Sequence, residues 1–233
     1  MSELSGNDRA NYVRHMFARL ARRYDLANRW MTWGQDGKWR REVIDRAHLP
    51  VEGRLLDIGT GTGDLALQAL HRDMQLQVVG ADFTPEMMQV GRNRQAGVSV
   101  LWLNTDALNL PFSSESFHAV VSGYLLRNVV DVERALAEQY RVLKPGGYMV
   151  CLDTTPPPKD LWHLPVRLYL RLVIPMIGGW VAGDIKTYRY LPESTNHFVS
   201  APQLADCMRQ VGFQEVGFRI FMGGTMAIHW GIR

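Results

Sequence analysis

At 233 residues, the chain is long enough for one large α/β domain with a substantial buried core. Its composition, 46% hydrophobic and 21% charged residues without a low-complexity tract or an internal repeat, excludes disordered and fibrous proteins. The net charge of +3 is mild, and the basic residues do not form runs with interleaved aromatic residues, so a nucleic-acid-binding function has little support.

Positive charge is concentrated in residues 1–54, where eleven basic side chains accompany seven acidic ones. This excess indicates either a solvated helix face or a positively charged patch that binds anions or a membrane surface. Neither the two cysteines, Cys151 and Cys207, nor the seven histidines show metal-ligand spacing, so we predict core thiols in a reducing compartment and no metal site. The first residues lack the apolar segment of a secretory signal, so we expect a cytoplasmic protein.

Two helices are predicted before the first strand, over residues 9–23 and 38–47. The first is amphipathic, with four apolar side chains at helical spacing on one face: Val13, Phe17, Leu20 and Tyr24. We expect residues 1–50 to form a helical cap on a single domain that spans residues 1–233.

From residue 54 onward, short apolar strands alternate with helical segments, which is typical of a parallel, doubly wound sheet. The predicted strands are residues 54–58, 76–81, 98–103, 117–124 and 148–153. The predicted helices between them are residues 64–71, 85–94 and 132–143.

Residues 154–200 break this regularity, and prolines, arginines and a histidine interrupt their apolar stretch at 161–182. Such a stretch does not span a bilayer and is typical of a lid over an apolar pocket or of an element on a membrane surface. A helix at 202–211 and strands at 213–220 and 225–232 follow, and strands so close together must pair as an antiparallel hairpin. We therefore predict an α/β fold: a doubly wound, seven-stranded, mostly parallel sheet with an antiparallel last strand, N-terminal helices and a helical lid insertion.

A glycine-rich turn is the first chemical signal, because a strand that ends in Asp57 is followed by Gly59, Gly61 and Gly63. Ligands of open α/β sheets bind at such turns. A dinucleotide fingerprint would need a glycine where Asp64 stands, and the carboxylate of Asp64 would repel a pyrophosphate. The cofactor is expected to lack phosphate and to carry positive charge, as S-adenosylmethionine does.

Acidic residues also end the next two strands. Asp82 stands 19 residues beyond the last glycine of the turn, where a carboxylate accepts hydrogen bonds from both ribose hydroxyls. Asp106 ends the third strand, near the expected position of an adenine amino group. Phe83, Met87 and Met88 either flank the adenine or belong to the core. The cofactor-binding set predicted to this point is Asp57, Gly59, Gly61, Thr62, Gly63, Asp82, Phe83, Met87, Asp106 and Ala107.

Several longer motifs resemble one methyltransferase family. They are YDLAN at 24–28, DALNLPF at 106–112, LRNV at 126–129, YRVLKPGG at 140–147 and YRYLPES at 188–194. On these motifs, the chain is similar from about residue 17 to residue 231 to the ubiquinone/menaquinone biosynthesis C-methyltransferase family, whose fold is that of class I methyltransferases. The resemblance implies S-adenosylmethionine as cofactor, and methylation of a ring carbon of a prenylated quinol, either demethylmenaquinol or its ubiquinone counterpart.

Five positions depart from this family's pattern: Gly123, Leu125, Asp153, Thr195 and Met222. Gly123 stands where the family has a cofactor-contacting serine and Ser122 is adjacent, so both join the expected cofactor-binding set. Because most of the five are expected to line the pocket, a methyltransferase acting on another small apolar or phenolic acceptor remains an alternative.

Methylation of a quinol carbon requires the phenolate, whose charge makes the ring carbon nucleophilic. A phenol with a pKa of ~10 costs about 4 kcal/mol to ionise at pH 7. We expect Arg127 to stabilise this charge beside the ring oxygen and Asn128 to orient a water that takes the proton. The alternative for Arg127 is a salt bridge or helix cap near Asp131.

Two further groups of side chains are expected to contact the acceptor. One comprises the candidate proton acceptors His197, His229 and Asp153, although a lone histidine is more often structural. In the other, Tyr24 and Tyr188 would wall the pocket or donate hydrogen bonds to the quinol oxygens, with ordinary packing as the alternative. Trp33 would form an apolar cover over the ring and its tail, with burial in the core as the alternative.

A prenylated acceptor resides in the membrane, so the N-terminal helix and residues 161–182 would form its entrance, with the chain peripheral at the inner face of the membrane. A homodimer is left open. Two other classes of function are weighed: a scaffold that retains the cofactor turn without catalysis, which the three strand-end acids oppose, and a nucleotide-dependent oxidoreductase, which Asp64 opposes.

Overall fold

The computed structural model describes residues 6–21, 23–157, 163–174, 176, 194–195 and 198–233. Three helices precede the sheet: α1 (Gly6–Leu20), α2 (Tyr24–Met31) and α3 (Asp36–Arg46). The prediction of a single helix over residues 9–23 missed α2, which begins at the tyrosine that was assigned to the first helix's apolar face. On that face of α1, Val13 and Leu20 are buried and Phe17 is half-buried.

A seven-stranded sheet forms the centre of the domain, in the order β3-β2-β1-β4-β5-β7-β6. β1 to β5 are parallel, and β7 pairs antiparallel with both β5 and β6, which confirms the predicted sheet and its closing hairpin. The strands are β1 (Arg54–Ile58), β2 (Gln77–Asp82), β3 (Val100–Asn104), β4 (Phe117–Gly123), β5 (Leu143–Thr154), β6 (Gln214–Phe221) and β7 (Met226–Ile232).

Helices cover both faces of the sheet. The connecting helices are α4 (Asp64–Arg72), α5 (Pro85–Arg92), α6 (Val132–Val142) and α8 (Ala201–Val211). Side chains alternate between two apolar cores along each strand: Leu55 packs with residues of α3 and α4, whereas its neighbour Leu56 packs with residues of α6 and α8. Burial on both faces explains why the strands read as continuous apolar runs.

Two boundaries differ from the predictions for identifiable reasons. β5 begins at Leu143 rather than at residue 148, because Leu143 already pairs with Phe117 and a register shift absorbs the turn that follows. β3 begins at Val100 rather than at residue 98, because a 3-10 helix (Gln95–Ser99) precedes it.

The predicted lid at 154–200 is described only in part. It contains α7 (Leu164–Leu168), which continues into a π-helical turn (Tyr169–Val173). The candidate residues Tyr188 and His197 lie outside the described residues, so the extent of the lid stays a prediction. Within the described ranges, no helix is long and apolar enough to cross a membrane.

Candidate active site

The glycine-rich turn joins β1 to α4 at the carboxyl edge of the sheet. Gly59, Gly61 and Gly63 have φ angles of +66°, +56° and +83°, which side chains rarely tolerate. The backbone N–H of Gly59 donates to the carbonyl of Ala81 on β2 at 2.8 Å. A Cβ atom at position 63 would lie 2.4 Å from the Trp102 ring. Glycine is therefore required by both conformation and space, and the turn is held rigidly against its neighbouring strand.

The carboxylate of Asp57 is buried beneath this turn. Its Oδ2 accepts hydrogen bonds from Thr60 Oγ1 at 2.6 Å and from the Ala66 N–H at 3.1 Å. Its Oδ1 has no hydrogen-bond partner among the described residues. Burial raises the pKa of Asp57 to about 7, although its two hydrogen bonds oppose the shift. A buried acid in this state would be stabilised in its charged form by a cation in the cavity.

Asp82 and Asp106 line the same cavity. Asp82 accepts hydrogen bonds from the N–H of Gly61 at 2.8 Å and of Thr84 at 2.7 Å, one on each carboxylate oxygen. Burial raises the pKa of Asp82, and hydrogen bonds from Gly61, Thr84 and Phe83 oppose the shift. Asp106 is exposed and accepts from the Leu108 N–H at 2.9 Å. The structure thus brings all three strand-end acids to the wall of one cavity.

This cavity has a volume of about 210 Å³ and is lined by the turn, the strand ends and the N-terminal helices. Twelve of the predicted site residues line it: Tyr24, Asp57, Gly59, Gly61, Thr62, Asp82, Phe83, Met87, Asp106, Ala107, Gly123 and Asn128. Met88 is core instead.

Gly63 and Ser122 do not line the cavity. Gly63 caps the start of α4, and Ser122 is buried within β4 while its neighbour Gly123 lines the wall. Of the two adjacent residues that we placed in the cofactor-binding set, Gly123 therefore lines the cavity and Ser122 does not. Trp33 also lies elsewhere: its side chain is 75% exposed, and its Nε1 donates to the hydroxyl of Tyr169 at 3.1 Å.

His229 is buried in the sheet rather than at the cavity wall. Its Nε2 donates to the carbonyl of Ala201 at 2.9 Å, which ties β7 to the start of α8. Burial lowers the pKa of His229 to about 4, so the ring is neutral at physiological pH. This geometry supports the structural alternative for His229 over the role of proton acceptor.

Arg127 and Asp153 form a buried ion pair behind the cavity. Arg127 Nη1 lies 3.5 Å from Asp153 Oδ1, and the Arg127 backbone N–H donates to Asp153 Oδ2 at 3.3 Å. Burial raises the pKa of Asp153, while the charge of Arg127 opposes the shift. The predicted alternative of a salt bridge to Asp131 named the wrong acid, and neither member of the pair lines the cavity.

Tyr124 separates this ion pair from the cavity. The Arg127 guanidinium carbon lies 4.9 Å from the centroid of the Tyr124 ring. Tyr124 has a φ of +61°, which is unusual for an aromatic residue, and Asn128 Nδ2 donates to its carbonyl at 2.8 Å. Burial raises the pKa values of Tyr124 and of the nearby Tyr24, while the positive charges of Arg40 and Arg127 oppose both shifts.

Asp64 does not carry the free negative charge that the sequence argument assumed. It accepts from Arg94 Nη1 at 2.6 Å and lies 2.8 Å from Arg40 Nη1. Its charge is neutralised by these partners, so the exclusion of a pyrophosphate rests less on Asp64 than on Asp57, Asp82 and Asp106.

Sequence reasoning did not select Arg40 and Tyr124, which line the cavity, or Asp25, which is hydrogen-bonded to the turn. Asp25 and Arg40 occur in or beside motifs of the N-terminal helices, which carry no signal of contact with a turn some 20 to 40 residues away. Tyr124 was read as the last residue of a strand. Among the described residues, no group of three histidine, cysteine or acidic side chains is placed to bind a metal.

Comparison with known proteins assigns the chain to a family. The model of the ubiE/COQ5 methyltransferase family matches residues 5–233. The ubiquinone/menaquinone biosynthesis C-methyltransferase of Desulfotalea psychrophila is 49% identical over 95% of this chain and 90% of its own length. The demethylmenaquinone methyltransferase of Thermus thermophilus is 44% identical over 94% of this chain and 100% of its own length.

Solved structures agree on the fold. A SAM-dependent methyltransferase from Thermotoga maritima has a TM-score of 0.65 at 23% identity, covering 94% of this chain and 98% of its own. Phosphoethanolamine N-methyltransferase 2 of Haemonchus contortus, solved with S-adenosylhomocysteine, has a TM-score of 0.69 at 16% identity, covering 100% of this chain and 61% of its own. At these identities, the likeness shows the class I methyltransferase fold alone.

Proposed function

Because the chain belongs to the ubiE/COQ5 methyltransferase family, we propose that it is an S-adenosylmethionine-dependent C-methyltransferase that acts on a ring carbon of a prenylated quinol in menaquinone or ubiquinone biosynthesis. One observation carries this proposal: the carboxylates of Asp57, Asp82 and Asp106 line one cavity around a glycine turn. The family's relatives are named for this reaction.

The cavity residues fit the cofactor. The unpartnered Oδ1 of Asp57 suits its ammonium group, and the carboxylate of Asp82, at the end of β2 on the cavity wall, suits ribose hydroxyls. A Cβ atom at Gly61 would lie 3.3 Å from Met87 Cε, so the glycine keeps the turn open to a ligand. S-adenosylmethionine, when bound, supplies an electrophilic methyl group.

The tyrosine side of the cavity suits the acceptor. Tyr24 and Tyr124 are phenols, and both feel the positive charges of Arg40 and Arg127 in the direction that favours ionisation. A quinol hydroxyl beside these rings would feel the same two positive charges, which oppose the desolvation that raises the pKa of both tyrosines and so favour the phenolate. We therefore keep Arg127 as the residue that favours the phenolate, acting from behind Tyr124 rather than by direct contact.

Asp153 has a positioning role in this scheme, because its carboxylate fixes the Arg127 guanidinium. Asn128 lines the cavity and is itself held by the Tyr124 carbonyl, so it is placed to orient the acceptor or a water that removes the proton. Contacts of Tyr188 and His197 with the acceptor remain predictions.

A turnover assay tests the proposal directly. The purified chain should transfer a labelled methyl group from S-adenosylmethionine to demethylmenaquinol or its ubiquinone counterpart, and Arg127→Lys should slow turnover without weakening cofactor binding. Methylation of unrelated phenols but of neither quinol would instead support the second candidate, a methyltransferase for another small phenolic acceptor. Gly123 and Leu125 favour this second candidate, because both depart from the family pattern and line the cavity.

We also propose that the chain contacts a membrane surface, where a prenylated acceptor resides. The apolar side chains of α1 are buried or face the cofactor cavity, so we move the entrance predicted there to α2 and to α7 with its continuation. Exposed apolar side chains occur at four-residue spacing along α7 and beyond it: Leu164, Leu168, Leu172 and Met176. Leu26, Trp30 and Trp33 are exposed on and just after α2, and the hydroxyl of Tyr169 joins the two segments by donating to the Met31 carbonyl at 2.9 Å.

Sedimentation with anionic liposomes tests this contact. Trp30→Ser and Leu172→Ser should each weaken binding by about tenfold, because burying one such side chain contributes roughly 1.5–3 kcal/mol. Met74→Ser is the matched control, since Met74 is exposed just before the start of β2, at the opposite edge of the sheet. Equal binding by all three variants would refute this surface.

A further inference from the structure

The helices α1 and α2 form one wall of the cofactor cavity. Val13 and Phe17 of α1 and Tyr24 of α2 line it, and the Phe17 and Tyr24 rings pack edge to face at 5.6 Å. The Arg14 guanidinium carbon lies 5.9 Å from the centroid of the Phe83 ring. The position of these helices therefore determines how open the cavity is.

Asp25, next to Tyr24 in α2, connects this wall to the glycine turn. Its Oδ1 accepts a hydrogen bond from Thr62 Oγ1 at 2.7 Å, and its Oδ2 is paired with Arg94, just beyond the end of α5. Thr62 is itself buried between Gly61 and Gly63, so its hydroxyl is held at a fixed place in the turn.

The ion pairs continue from Asp25 around the turn. Arg94 also binds Asp64, the first residue of α4, at 2.6 Å. Asp64 binds Arg40 of α3 at 2.8 Å, and Arg40 binds Asp36 at 2.8 Å. The N-terminal helices are thus fastened to the turn at Thr62 from one side and at Asp64 from the other.

We propose that Asp25 is a positioning residue: its bonds to Thr62 and Arg94 fasten α2 onto the cofactor turn, so that the cofactor leaves only when this contact opens. The inference rests on the proposed function for the identity of the cofactor. While the contact is closed, α2 holds Tyr24 at the cavity wall beside Asn28, to which its side chain is hydrogen-bonded.

The test is the rate at which labelled S-adenosylmethionine leaves the full chain when chased with excess S-adenosylhomocysteine. Asp25→Asn removes the charge that pairs with Arg94, and Thr62→Val removes the hydroxyl donor at nearly constant volume. Each should speed release about tenfold, the effect of one hydrogen bond to a charged group. The double variant should be little faster than either, because both changes open the same contact.

Controls separate this role from loss of stability. A merely destabilised chain binds less cofactor but releases it at the wild-type rate. Asp45→Asn, which breaks an exposed ion pair with Arg72 outside the cavity lining, should release the cofactor at the wild-type rate.

Release within twofold of wild type in either single variant, or fully additive effects in the double variant, would overturn the proposal. Should Asp25→Asn fail to fold, Arg94→Gln decides the proposal, because it removes the cationic partner of Asp25 and should speed release in the same way. A wild-type chain that does not retain the cofactor counts against the proposed function as well.

Discussion

Asp57→Asn should stabilise the protein and weaken cofactor binding at the same time. The pKa of Asp57 is about 7, against an ordinary value of 3.8. At about 1.36 kcal/mol per pKa unit, the charged carboxylate costs roughly 4 kcal/mol more in the folded chain than in the unfolded one. Asparagine has no charge and still offers an oxygen to the Thr60 and Ala66 donors.

The sign of the pH dependence follows from the raised pKa. Between pH 3.8 and about 7 the unfolded chain loses this proton first, so the wild-type free energy of unfolding falls as pH rises, and above pH 7 the full penalty is present. Urea unfolding should therefore show Asp57→Asn more stable than wild type by roughly 2–4 kcal/mol at pH 8, with little difference at pH 4.

Cofactor binding should show the opposite preference. If the charged form of Asp57 holds the ammonium group, wild-type affinity for S-adenosylmethionine should rise about 25-fold between pH 5.5 and 7.5, as the carboxyl ionises. Calorimetry on Asp57→Asn should show weaker binding at pH 7.5 and no such rise. A flat wild-type profile, or a variant that keeps the slope, would refute the assignment of Asp57 to the cationic end of the cofactor.

Two further predictions concern packing and charge. In urea unfolding, Gly63→Ala should lower the free energy of unfolding by at least about 2 kcal/mol, because a Cβ atom there would lie 2.4 Å from the Trp102 ring. Gly146→Ala is the control: it has nothing within 4 Å and should lose only the ~1 kcal/mol of its positive φ. Equal losses of unfolding free energy in the two variants would contradict the packing argument. Arg127→Met should lower the free energy of unfolding by about 3–5 kcal/mol, because it leaves Asp153 buried without its Arg127 partner. Adding Asp153→Leu should restore most of that stability but not the turnover. A double variant no more stable than Arg127→Met would contradict this account of the ion pair.

The sheet was predictable because its strands are buried on both faces. Leu55 and Leu56 contact different cores, so both had to be apolar, and the turn after them required glycine. The antiparallel hairpin followed from the absence of room for a crossover helix between β6 and β7. The boundary of β5 was not predictable, because a register shift places the turn after Leu143 inside the strand rather than before it.

The site was predictable where the ends of the parallel strands supply its residues. Asp57, Asp82 and Asp106 lie at strand ends, and parallel strands bring their carboxyl ends to one edge. Contacts between distant elements were not predictable: the pairing of Arg127 with Asp153 and of Asp25 with Thr62 depends on how helices and loops dock, which no local pattern encodes. For the same reason, the sequence could not decide whether His229 is a proton acceptor or structural, and the structure shows a buried hydrogen bond to Ala201.

The left-handed backbone of Tyr124 has a consequence for engineering. A non-glycine residue at a φ of +61° carries roughly 1–2 kcal/mol of conformational strain, here at the wall of the proposed active site. Glycine would relieve that strain, just as asparagine at position 57 would relieve a buried charge. A selection for thermal stability alone would thus favour substitutions at Tyr124 and Asp57, and the selected variants would be more stable proteins without catalytic activity.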